Sequence, residues 1–244
     1  MPSEVSMNRA LAFVLAVFSL ALMIPLQEAS SAESRESPSA LCQFSLTGLV
    51  SENSPRVSIS VTYGRQVDEL RETTLTAQFQ TGTKAGDVLA LLADRLERSG
   101  AKITRSTHSF NLASLFVEDV VSVRIEETGG LYPTVTFCDR PLGVLSLKPT
   151  RSDRVGGELK ITGLLVDSDG KSRELKKLEV EVFRADTGHT ICKRLYDASL
   201  YEGWLPFRAQ TDQWSPNRRK DSKVMESTEI SFSAKGWALE LTAG

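Results

Sequence analysis

The side chains able to do chemistry are few and scattered. There are two histidines: His108 in the polar stretch Ser106-Thr-His-Ser-Phe110, and His189 ahead of an apolar periodic segment. No local motif joins either to a nucleophile or a carboxylate, so a solvated surface role is expected for both. Gln80-Thr-Gly-Thr-Lys-Ala-Gly-Asp87 superficially suggests a phosphate loop, but Lys84 is neither preceded by Gly nor followed by Ser or Thr. Val166-Asp-Ser-Asp-Gly170 opens like a calcium loop. Counted from Asp167, however, Lys171 and Leu178 occupy the ligand positions that need Asp/Asn and Glu, so a tight hairpin turn at Asp169-Gly170 is expected instead. Asp167 and the pair Glu118-Asp119 are the carboxylates a hydrolase would use. Neighbouring residues on a strand point to opposite faces, which argues against a shared acid–base site at that pair. No cofactor and no metal centre is expected.

Three cysteines are present, Cys42, Cys138 and Cys192, with no Cys-x-x-Cys spacing. Cys192 falls on the apolar face of a predicted helix and reads as a buried thiol. That leaves Cys42 and Cys138 as the pair able to form a disulfide. Two basic clusters stand out: Lys171, Arg173, Lys176 and Lys177, then Arg218, Arg219, Lys220 and Lys223. On one face they would suit an acidic glycan or DNA; the interleaved acids Glu174, Glu179 and Asp221 weigh against retention on such polymers. Most aromatic residues near the end of the chain suit a core. Trp214, in a polar loop, is the candidate for an exposed sugar-stacking platform.

Export frames these residues. Residues 1–32 have the form of a cleaved signal peptide: Arg9, an apolar run from Ala10 to Leu26, Pro25, and Ala29-Ser-Ser-Ala32 as a cleavage site. A secreted or periplasmic location follows, with no membrane span in the mature chain. The full chain carries 29 Lys and Arg against 31 Asp and Glu, a balance that argues against wholesale binding to nucleic acid or anionic membrane.

Hydropathy periods then place the elements. Residues 33–40 form a polar linker. Arg56–Tyr63 alternates apolar and polar residues, as a half-buried strand does. Lys84–Ser99 has apolar residues at helical spacing, with Thr83 as N-cap and Gly100 past the end. A similar order recurs later. Leu159–Leu164 echoes Phe44–Leu49, Leu178–Phe183 echoes Thr74–Phe79, and a second helix over residues 189–202 opens at Thr187 and closes at Gly203. Val88, Leu89 and Leu92 align with Ile191, Cys192 and Leu195. The expectation is an α+β protein with a degenerate tandem repeat. Its two consecutive modules, residues 41–150 and 151–244, would each be an antiparallel sheet with one packed helix. The leading functional expectation is a non-enzymatic structural or binding protein of the cell envelope or exterior. Its partner would be another envelope or extracellular protein or a glycan. A carboxylate hydrolase working outside the cytoplasm and a polyanion-binding module are the alternatives.

Overall fold

A computed structural model describes residues 41–52, 55–109, 112–202, 204, 207–210, 212–216, 219–220 and 223–244. The expected signal peptide, the linker, Gly203 and Arg218 lie outside the described residues. Pro38–Gly244 forms one compact unit. No helix among the described residues is long and apolar enough to cross a membrane.

The first half runs β1 (Leu41–Thr47), β2 (Arg56–Tyr63), β3 (Arg71–Gln78), α1 (Ala85–Arg98), β4 (Ile103–Ser109), β5 (Leu112–Glu118), β6 (Val120–Thr128) and β7 (Tyr132–Cys138). Then come β8 (Leu142–Pro149), β9 (Gly157–Asp167), β10 (Arg173–Val182), α2 (Gly188–Tyr201), β11 (Phe207–Gln210), β12 (Gln213–Ser215), β13 (Arg219–Lys220), β14 (Lys223–Phe232) and β15 (Trp237–Ala243). Among the described residues, two antiparallel sheets and two α-helices make this an α+β protein. The first sheet has the order β10-β9-β14-β7-β1-β5-β4, with β13 hydrogen-bonded to β14; the second has the order β11-β12-β8-β15-β6-β2-β3.

Strand alternation builds the core. On β1, Cys42, Phe44 and Leu46 are buried while Gln43 and Ser45 are only half-buried. The inward rows of both sheets share one hydrophobic cluster. Helix α1 turns Val88, Leu89, Leu92 and Leu96 into it and packs against β3 of the second sheet and β4 and β5 of the first. Helix α2 packs against β10 of the first sheet and β8 and β12 of the second. Each helix thus bridges the margins of the two sheets, and burying each large apolar side chain contributes about 1.5–3 kcal/mol.

Neither sheet breaks at residue 150. Strand β14 lies between β7 and β9, and β15 lies between β6 and β8, so the strands do not segregate into the expected modules 41–150 and 151–244. Strands β6 and β7 need hydrogen-bonding neighbours on both sides, and strands from late in the chain supply one side of each. The pairing also corrects the expected alignment. Ile59 on β2 sits between Leu75 and Ile125, and Ile161 on β9 sits between Leu178 and Ile230 in the same way. The neighbours of Leu159–Leu164 are thus like those of β2, whereas Phe44 on β1 sits between Leu115 and Val135.

The helix ends follow local chemistry. Thr187 caps α2: its side chain accepts from Thr190 N, and Thr190 returns the bond to the Thr187 backbone. Thr83 does not cap α1. Lys84 occupies that position, because the Thr83 hydroxyl donates to Gln80 O at 2.6 Å and so closes the preceding turn. Gly100, at φ +92, ends α1, and Ala101 N donates to Leu96 O at 3.0 Å.

Candidate binding surface

Strand β10 and the loop before it carry the first basic cluster; β13 and β14 carry Arg219, Lys220 and Lys223 of the second. Because β14 pairs with β9 and β9 with β10, segments far apart in the chain meet at one corner of the first sheet. The hairpin joining β9 to β10 is built by its own acids. Ser172 N donates to Asp167 Oδ2 at 2.9 Å and Lys171 N to Asp169 Oδ1 at 3.2 Å, with Gly170 at φ +72. Asp167, a candidate hydrolase carboxylate, is thereby a turn-forming residue.

Glu174 joins the clusters. Its two carboxylate oxygens lie 2.9 Å from Lys176 Nζ and 3.1 Å from Lys223 Nζ. Hydrogen bonds from Lys176 first, and then Lys223, pull the Glu174 pKa down to about 2. Lys171 pairs with Asp169 at 3.2 Å. Arg173 and Lys177 stand exposed on β10. Arg219 and Lys220 are placed by their backbone pairing with Val224 and Lys223.

On the other face of the sheet from Glu174, Lys176 and Lys223, beside Arg173 and Lys177, lies an apolar group. Leu175 faces Leu164 across the β10–β9 pair, and Val224 faces Val166 across β14–β9. Residues two apart on a strand share a face, so all four lie on the outer face of the sheet, with Arg173 opposite Val166. Leu175 is 57% exposed and Val224 46%. The sequence offered a signal for these residues in the alternation of Arg173, Leu175 and Lys177. What it lacked was the neighbouring strand.

The other candidates separate. Glu118 and Asp119 do border one groove, of about 470 Å3, together with Arg65, Asp68 and Lys102. Strand alternation does not apply to this pair, because Asp119 lies between β5 and β6 at φ +56. Arg65 Nε donates to Asp119 Oδ2 at 3.0 Å, and Lys102 Nζ lies 3.9 Å from Glu118, so each carboxylate has a cation beside it. Among the described residues no group of three or more His, Cys, Asp or Glu could hold a metal ion. His189 is exposed in the first turn of α2; the side chain of His108 lies outside the description.

Two further expectations are corrected. All three cysteines are free thiols. Cys42 lies opposite Phe137, and Leu41 opposite Cys138. The Cys42 side chain therefore enters the core while Cys138 points to the other face, so no disulfide can form without moving backbone. Burial pushes the Cys192 thiol up to about 12 and raises Cys42 further, which keeps both protonated and unreactive. Trp214 is no platform: it is 1% exposed and its Nε1 donates to Ser199 Oγ at 3.0 Å. Its polar neighbours hid β12, which pairs with β8 and turns the indole inward.

No protein-family model matches this chain, and no curated protein and no solved structure is found to be similar to it.

Proposed function

We propose that this chain is an exported, non-enzymatic binding protein of the cell envelope or exterior, and that it meets a protein partner through the outer face of β9, β10 and β14. The observation that carries the reading is the apolar set Leu164, Val166, Leu175 and Val224, in register and framed by Arg173 and Lys177, with Leu175 and Val224 exposed and Leu164 and Val166 half-buried between them. An apolar centre with a charged rim suits protein contact. A polyanion site would need its cations uncommitted, and Lys171, Lys176 and Lys223 are paired with Asp169 and Glu174.

A photo-crosslinking residue placed at 175 in the native host tests this. The expected result includes an extracytoplasmic adduct whose added mass is not that of the chain itself, beside any adduct between two copies, and it is absent when the same group sits at 136 on the outer face of β7. Equal adducts at both positions, or no such adduct at 175, would sink the reading. Passage through heparin resin at low salt is expected as well. Salt-sensitive retention that disappears when Arg218, Arg219 and Lys220 become alanine would make polyanion binding the function instead.

The repeat belongs to the same reading: the chain is two copies of one unit, residues 41–138 and 142–243. Replacing each first-half strand by one about 100 residues further on turns the order of one sheet into that of the other, read from the opposite end. Registers carry over too: Phe44 faces Val135 on β7, and Leu147 faces Leu239 on β15. Both helices are 14 residues long, and Trp204 N bonds Ser199 O as Ala101 N bonds Leu96 O. Each unit supplies strands to both sheets, so a binding surface present in one unit need not recur in the other.

A further inference from the structure

Strands β3 and β10 occupy corresponding places, each at the margin of a sheet beside a helix, yet their free edges differ. On β3, Arg95 Nη1 reaches from α1 and donates to Thr74 O at 2.9 Å. The eleventh residue of α1 is Arg95; the eleventh of α2 is Ala198. Among the described residues no side chain of α2 bonds the matching stretch of β10. A groove of about 770 Å3 is left there, bordered by Leu175, Lys177, Glu179, Ala198 and Tyr201.

The edge of β10 carries hydrogen-bonding groups. Glu181 O accepts from Arg194 Nη1 at 2.6 Å, and Phe183 N donates to Asp186 Oδ2 at 2.7 Å. The edge-facing backbone groups therefore belong to the odd-numbered residues, since they alternate along an antiparallel strand. Those of Arg173, Leu175, Lys177 and Glu179 have no partner among the described residues, a ready template for another strand.

The same four residues form the outward row of side chains, and that row is self-complementary. Laid antiparallel on itself about Lys176, Arg173 falls opposite Glu179 of the second copy and Leu175 opposite its Lys177, each pair occurring twice. We propose that two copies of this chain associate edge to edge through β10, making the first sheet continuous across the pair and stopping short of the carbonyl that Arg194 occupies. This inference concerns the strand edge and does not rest on the function proposed for the outer face.

Sedimentation velocity on the purified protein, from low to several hundred micromolar, tests it. The expected result is a reversible monomer–dimer equilibrium. Leu175→Pro removes an edge N–H and should abolish the dimer. As that variant could unfold, the charge series carries the test independently. Arg173→Glu and Glu179→Arg should each raise the dimer Kd by roughly ten-fold, since each turns two opposite-charge pairs into like-charge pairs. The double variant should return it to within about three-fold of the original. Melting temperatures control for the Lys160 contact at 3.8 Å that Glu179 also makes. A monomer throughout the range, a Kd unmoved by the single reversals, or single losses that the double variant does not recover would each overturn the proposal.

Discussion

At the scale of single residues, charge and burial decide what each group can do. Glu174 sits between two lysines on a surface strand, and its pKa is lowered from 4.5 to about 2. A carboxyl with a depressed folded-state pKa stabilises the fold above its unfolded pKa and loses that contribution as pH falls through the folded one. Glu174→Gln should therefore lower stability at neutral pH by about 0.5–1 kcal/mol, the scale of partly exposed ion pairs. The difference from the original protein should shrink below pH 4.5 and be mostly lost by pH 2. Denaturant titrations of both proteins at several pH values check this, and a gap undiminished at pH 2 would show that the ion pairs are not its source. The thiols obey the same logic from the other side: Cys42 and Cys192 lie in the core, where desolvation favours the neutral form.

At the scale of elements, periodicity and turn chemistry explain most boundaries. Helix α1 was legible because Val88, Leu89, Leu92 and Leu96 recur at helical spacing and Gly100 supplies the left-handed turn that ends it. A Cβ added there would adopt φ +92 and meet Arg71 Nη1 at 2.9 Å. That guanidinium already donates to Ser99 O at 2.9 Å. Gly100→Ala should cost about 1–2 kcal/mol, read as a lower denaturation midpoint with an unchanged slope; a neutral effect would mean that the turn is not the stop. Strand β12 was not legible. Its three residues are too few to show alternation, and Gln213 and Ser215 disguise Trp214 as part of a loop.

At the scale of the whole molecule, each half completes the other. Strand β14 joins β7 to β9, and β15 joins β6 to β8, so the inward faces of one half are covered by strands of both. Fragments 41–140 and 141–244 should each lack fixed tertiary structure when produced alone, and should regain the native near-ultraviolet circular dichroism when mixed. If either fragment folds cooperatively by itself, the halves are independent modules after all and the boundary belongs between them.

What the sequence by itself determined is what short-range spacing encodes. Period two wrote the strands, period 3.6 wrote the helices, and Thr187, Gly100 and the Asp169-Gly170 turn marked their ends. Cys192 was legible as a buried thiol because its helix face is apolar over one turn. The tertiary structure alone decided which strands are neighbours. That choice put Cys42 and Cys138 on opposite faces, drew Trp214 inside, gathered Leu164, Leu175 and Val224 around Arg173, and left β10 open where β3 is capped by Arg95. Strand pairing couples residues about a hundred positions apart, as between Thr134 and Ser231 on β7 and β14 or Ser122 and Thr242 on β6 and β15. No window of local periodicity spans that distance, so register and neighbourhood emerge only when the two sheets close over one core.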